Sequence, residues 1–148
     1  MVTLDSIENE QEMQIGVNGP DGANRLIIYT GTAVFRFKGT GSEVKRDTLS
    51  FNIGSAFSSG QFKKAVATAS LASIFNDGPA NDAGWAVDSV YADRDVYTGK
   101  VRVTAKLAVR DSDGYVFRIG YQVNVLAALG GSPYSYSSSS GAIGGGSI

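Results

Sequence analysis

The chain has 148 residues, 43% hydrophobic and 18% charged, with a formal net charge of −1. These are the values of one globular domain with a single core, and near-neutrality gives no bulk attraction to nucleic acid or an acidic membrane. The chain contains no cysteine and no histidine, which excludes disulfides, thiolate nucleophiles, serine–histidine–aspartate triads and histidine-ligated metals.

Residues 1–24 hold Asp5, Glu8, Glu10, Glu12 and Asp21 and no basic residue. They read as an acidic N-terminal arm with one short strand at Met13, Ile15 and Val17, ended by the turn material "NGPDGAN". The opening "MVTLDSIENEQEMQIG" lacks the basic and apolar regions of a signal peptide, and no apolar run approaches the roughly 20 residues that span a bilayer. Cytosolic synthesis without membrane insertion is therefore expected, whether or not the chain later leaves in a released particle.

Residues 25–129 carry the pattern of an all-β domain. In "RLIIYTGTAVFRFKG" the first half is apolar on both faces, as in a buried strand. The second half turns Ala33, Phe35 and Phe37 inward against Thr32, Arg36 and Lys38. Gly31 between them suggests a bulge or bend. Leu49, Phe51 and Ile53 then alternate after an exposed loop.

"QFKKAVATASLASIF" supports two readings. As a strand it puts Ala65, Ala67, Ala69, Leu71 and Phe75 on one face; as a helix it groups Phe62, Val66, Ala69 and Ser73. Alanine favours the helix, whereas strict alternation favours the strand, which is the expectation retained. "WAVDSVY" alternates again, with Trp85, Val87 and Tyr91 on one side. The sum is about seven strands joined by glycine- and aspartate-rich turns, the pattern of a single antiparallel β-sandwich.

The segment "VRVTAKLAVRDSDGYVFRIGYQVNVLA" (101–127) is apolar at every odd position on both sides of its turn. If the halves pair as an antiparallel hairpin, odd residues must oppose odd, which requires a three-residue turn at Ser112, Asp113 and Gly114. The other face of that hairpin then gathers Arg102, Lys106, Arg110 and Arg118. It reads either as a solvated face or as a docking surface for the acidic arm, through Glu8, Glu10 and Glu12, of the same or a neighbouring chain.

Residues 130–148 have a flexible-linker composition, with glycine or serine at thirteen of nineteen positions. Such a tail orders only when something holds it, and Tyr134, Tyr136, Ile143 and Ile148 are its docking side chains.

Acid–base chemistry is left to carboxylates, lysine or tyrosine. Most aspartates, however, sit in turns, where they bond their own backbone. "DSDG" and "DRD" echo calcium loops without the closing glutamate, leaving Asp93 and Asp95 with a loop carbonyl as an alternative cation site. No phosphate loop, cofactor motif or catalytic set is present. A second candidate surface is the loop containing Asp77, Asn81 and Asp82 beside Trp85, an aromatic next to amides and carboxylates as in a sugar site; the alternative for Trp85 is a core position.

From residue 62 to 127 the succession of "AVATASLASIF", a loop and the 101–127 strands resembles the H-type lectins. These are small β-sandwiches that form trimers or hexamers and bind sugars such as N-acetylgalactosamine, and similar modules occur on phage tails. The resemblance implies a sandwich, homo-oligomerisation and glycan binding. It carries over no binding residue, because "YQVNVLA" lacks the aromatic usual near that family's sugar-contacting end. The expected function is a non-catalytic assembly subunit, its partners copies of itself in a ring, filament or virion-type particle; the alternative is a lectin-like carbohydrate-binding module.

Overall fold

The computed structural model describes residues 2–20, 22–39, 41–75 and 83–128, with residues 112–115 described by their backbone. Period-two alternation becomes seven strands: β1 (Val2–Gly19), β2 (Gly22–Gly39), β3 (Lys45–Ile53), β4 (Phe62–Phe75), β5 (Gly84–Arg94), β6 (Val101–Arg110) and β7 (Ser112–Ala128). They form a four-stranded sheet, order β1-β2-β7-β4, and a three-stranded sheet, order β3-β6-β5. Every pairing is antiparallel, and the two sheets close a β-sandwich.

The expected 101–127 hairpin does not form. β6 pairs with β3 and β5, whereas β7 pairs with β2 and β4. A single residue, Asp111, links the two strands, with a left-handed φ of 51°. One residue is too short for an antiparallel hairpin, whose tightest common loops have two, so the chain crosses to the other sheet. The odd-numbered stripes still form the core, with Val101, Val103, Ala105, Ile119, Val123 and Val125 all buried. They meet face to face across the interior instead of side by side.

The segment expected to be an arm is β1, an 18-residue edge strand. It pairs with β2 from Val2↔Phe37 to Gly19↔Gly22, with irregularities after Leu4 and Glu8. Its start is tied to the other sheet by the Val2 amide, which donates to Asp47 Oδ2 at 2.8 Å.

Residues 62–75 are a strand, as alternation predicted, but a shift between Leu71 and Ser73 changes the phase. Ile74 packs on the core in place of Phe75, which is left exposed. A shift between Val87 and Ser89 does the same in β5: Val90 and Ala92 pack inward, and Tyr91 is exposed. A bulge exchanges the two faces of a strand, and a period-two reading cannot see it.

The core is filled from both sheets. Phe35 and Phe117 meet edge to face at 5.3 Å within one sheet, and Phe51 meets Tyr121 at 5.2 Å across the interior. Burying each such side chain is worth roughly 1.5–3 kcal/mol. Gly31 stands opposite a bulge, as expected at this position: the shift between Glu8 and Gln11 sets Asn9 and Glu10 of β1 against it, whereas β2 keeps unbroken register with β7 around it. It makes room for Tyr121: a Cβ on residue 31 would lie 2.4 Å from the phenol oxygen.

Candidate functional site

Because β6 and β7 lie in opposite sheets, the four cations expected on one face are divided. Arg102, Lys106 and Arg110 sit on the outer face of the three-stranded sheet, and Arg118 on the outer face of the other. Carboxylates accompany them. Arg102 is opposite Asp93 in register and 3.8 Å from Asp95, and Arg118 is 3.7 Å from Glu8. Among the described residues Arg102, Lys106 and Arg110 stay on one face, joined there by Arg46 opposite Ala108, and only Arg118 is separated from them. The Arg118–Glu8 pair, exposed on both sides, stabilises by about 0–1 kcal/mol.

Glu10 lies in the irregular stretch of β1 and Glu12 is opposite Tyr29. Trp85 is half-buried and packs on the core. Asp77, Asn81, Asp82, Tyr134 and Tyr136 lie outside the described residues.

The structure displays a different surface, the outer face of the four-stranded sheet. Register places Met13, Ile28, Asn124 and Val66 in one row, and Ile15, Leu26, Leu126 and Lys64 in the next. Met13, Ile15 and Val66 are 56%, 44% and 57% exposed. Large apolar side chains gathered on the open face of a sheet mark an interaction surface more than isolated ones do. The signal was legible in "RLIIY", apolar on both faces, and in the Met13–Ile15–Val17 stripe. As sequence alone, the first stretch reads as a fully buried strand and the second as an isolated short one.

This sheet ends in two edges. β1 carries Asp5, Glu8, Glu10 and Glu12 and no cation, and β4 carries Lys63 and Lys64 and no anion. Asp5 pairs with Arg36 at 2.9 Å within the chain. The acidic edge and the basic edge therefore lie on opposite sides of one sheet.

At one end of the sandwich, the side of β1 and β2 that faces the other sheet turns polar and opens to solvent. Glu12 and Gln14, both exposed, and Arg25 line an open cavity of about 170 Å³ with Ile27, Tyr29 and Phe57. Gln14 bridges the charges: its Nε2 donates to Glu12 Oε2 at 2.7 Å, and its Oε1 accepts from Arg25 Nη1 at 3.2 Å. The Nε of Arg25 is buried without a partner. Burial pushes the Tyr29 phenol up to about 12, with Glu12 adding to the effect and Arg25 opposing it. This tyrosine is a neutral donor, not a base near pH 7.

At the same end, residues 95–100 form a tightly bonded turn. Asp95 accepts from the Tyr97 amide at 3.1 Å, from Thr98 Oγ1 at 2.9 Å and from Asn52 Nδ2 at 3.1 Å. These bonds, the Tyr97 amide foremost, hold its carboxyl below the ordinary aspartate value. The turn projects Tyr97, 92% exposed, beside a cleft of about 320 Å³ lined by Ser58, Gln61, Arg94 and Thr98. Among the described residues no three acidic, histidine or cysteine side chains cluster as metal ligands, and no helix is long and apolar enough to cross a membrane.

Comparison with protein-family models, curated proteins and solved structures gives no match to this chain.

Proposed function

We propose that this chain is a non-catalytic structural subunit. It self-associates through the four-stranded sheet to build a ring, filament or virion-type particle. The observation that carries the reading is the outer face of that sheet, where Met13 and Ile15 on an open edge strand continue through Ile28, Leu26 and Leu126 to Val66. An edge strand with unpaired amides and carbonyls, flanked by exposed apolar side chains, is a template for another chain. The non-catalytic part rests on the residue inventory: a chain without histidine or cysteine, whose two raised tyrosines ionise far above neutrality.

Light scattering of the full chain over a concentration series tests the reading. Assembly is expected to grow with concentration and to disperse in the Met13→Ser/Ile15→Ser variant. Each of these side chains, about half exposed before contact, contributes roughly 1 kcal/mol on burial. A monomer at every concentration would overturn it.

A second reading, glycan recognition, is favoured by Tyr97. A turn with a bonded backbone presents its ring to solvent beside a cleft lined by both polar and apolar groups, so stacking on it costs little backbone ordering. Titration with free oligosaccharides, watched through the Tyr97 amide and compared with Tyr97→Ala, tests it; no response in the wild-type chain rejects it.

A further inference from the structure

The assembly reading says that copies associate, but not which surfaces meet. We infer that the second half of β1, residues 11–19, pairs antiparallel with the same segment of a second copy about a two-fold axis at Ile15; this rests on the assembly reading. The pairing joins two four-stranded sheets into one of eight strands.

β1 is an edge of its sheet, and its two halves are built differently. Residues 2–10 carry Asp5, Glu8 and Glu10, a break in register after Leu4, another after Glu8, and Asn9 with a left-handed φ of 55°. Charges and bulges are how natural edge strands refuse other strands. From Gln11 to Gly19 the ladder with β2 is unbroken, and from Met13 to Gly19 the strand has no charge and no proline. Alternate residues there turn their backbone donors and acceptors away from β2 in a regular row. The guard stands on one half only.

Self-match picks the partner. Residues opposed in an antiparallel pair share a face. An axis at Ile15 therefore sets Ile15 against Ile15, and Met13 against Val17 of the other copy. All three are exposed in the single chain, and in the pair each meets an apolar side chain. On the opposite face Gln14 meets Gly16, and Glu12 meets Asn18, whose amide can donate to the carboxylate. No two acidic residues are opposed. Across the seam, the row Ile15–Leu26–Leu126 of one copy runs into the same row of the other.

Among the described residues no other edge offers such a stripe. Leu49, Phe51 and Ile53 of β3 point into the core, which leaves Arg46, Thr48, Ser50 and Asn52 outward. β4 sets Val66 between Lys64 and Thr68, and it lies close along β5. A contact between identical surfaces closes on two copies. The pair is thus the building block, and another surface joins one pair to the next in the ring, filament or particle.

A chain without cysteine makes single cysteines clean probes. The test uses the full chain with Ile15→Cys, Met13→Cys or Val17→Cys, oxidised at a concentration where the wild type assembles and read as covalent dimer under denaturing conditions. Opposed residues have Cα atoms about 4.5–5.5 Å apart, within the reach of a disulfide. Ile15→Cys chains should link to one another. Met13→Cys alone, or Val17→Cys alone, leaves its thiols four residues apart, roughly 13 Å along the strand, and should not link. An equal mixture of those two should. The mixture keeps Ile15, so it decides the matter even where a cysteine at the axis weakens the contact.

Unfolded or randomly aggregated chains would link without this pattern. Assembly with no linking in the mixture, or with equal linking in every sample, overturns the two-fold pairing and leaves the assembly reading standing; another segment or another protein then covers β1. A wild-type chain that is monomeric at every concentration overturns both.

Discussion

Replacing Gly31 by alanine probes the register that separates the observed fold from a 101–127 hairpin. In the structure Gly31 is the direct cross-strand partner of Tyr121. A methyl group there would lie 2.4 Å from the phenol oxygen, 2.6 Å from Cζ and 2.9 Å from Cε2. Tyr121 cannot swing away freely, because its ring is 4% exposed and packs on Phe51. Overpacking of this kind costs roughly 1–3 kcal/mol. Alanine regains roughly 0.4–1 kcal/mol by restricting the unfolded chain. The net loss is about 0–2.6 kcal/mol, centred near 1.3 kcal/mol, or roughly 3–5 °C in Tm for a domain of this size.

Urea and thermal denaturation measure the loss directly, and a double-mutant cycle locates its cause. In a Tyr121→Leu background the ring is gone and Gly31→Ala should be neutral or stabilising, giving a coupling energy of about 1–3 kcal/mol. The same effect in both backgrounds, and hence no coupling, would refute the placement of β7 against β2. The hairpin alternative sets Tyr121 against Ala105 and predicts no such coupling.

Phe35→Ala should cost roughly 3–5 kcal/mol by chemical denaturation, since the ring is 1% exposed and packs edge to face on Phe117. Arg118→Ala should change stability by less than about 1 kcal/mol, because its pairing with Glu8 is long and exposed. Burial raises both Tyr29 and Tyr121 to about 12 from the ordinary 10.0. Their contribution is complete below the unfolded value and disappears as pH rises from 10 towards 12. Absorbance titration should show these two phenols ionising last, together with alkaline unfolding. At the acid end, the Thr48 amide holds the Asp47 carboxyl, and the Tyr97 amide the Asp95 carboxyl, below the ordinary 3.8. Their contribution is present above that value and lost as pH falls through the lowered one. Asp95→Asn should flatten the acid side of a Tm-against-pH profile.

The sequence by itself determined that the described residues are all-β, that they form about seven strands, and which residues of each regular strand point inward. Ala33, Phe35 and Phe37, Leu49, Phe51 and Ile53, and the odd positions from Val101 to Val109 are buried as their alternation required. Burial of alternate side chains is a local property, so one strand's pattern suffices to read it. Partner choice is not local. The parity that suggested a hairpin between β6 and β7 is met equally well by two strands facing each other from opposite sheets. Only the one-residue crossing at Asp111 and the packing of the whole interior decide between them. The same limit hid the candidate site. Shifts in β4 and β5 turned Phe75 and Tyr91 outward, and the acidic and basic edges became opposite sides of one sheet only when strand order was fixed. Hydrogen-bond ladders join residues far apart in the chain, and no stretch of sequence carries its neighbour's identity.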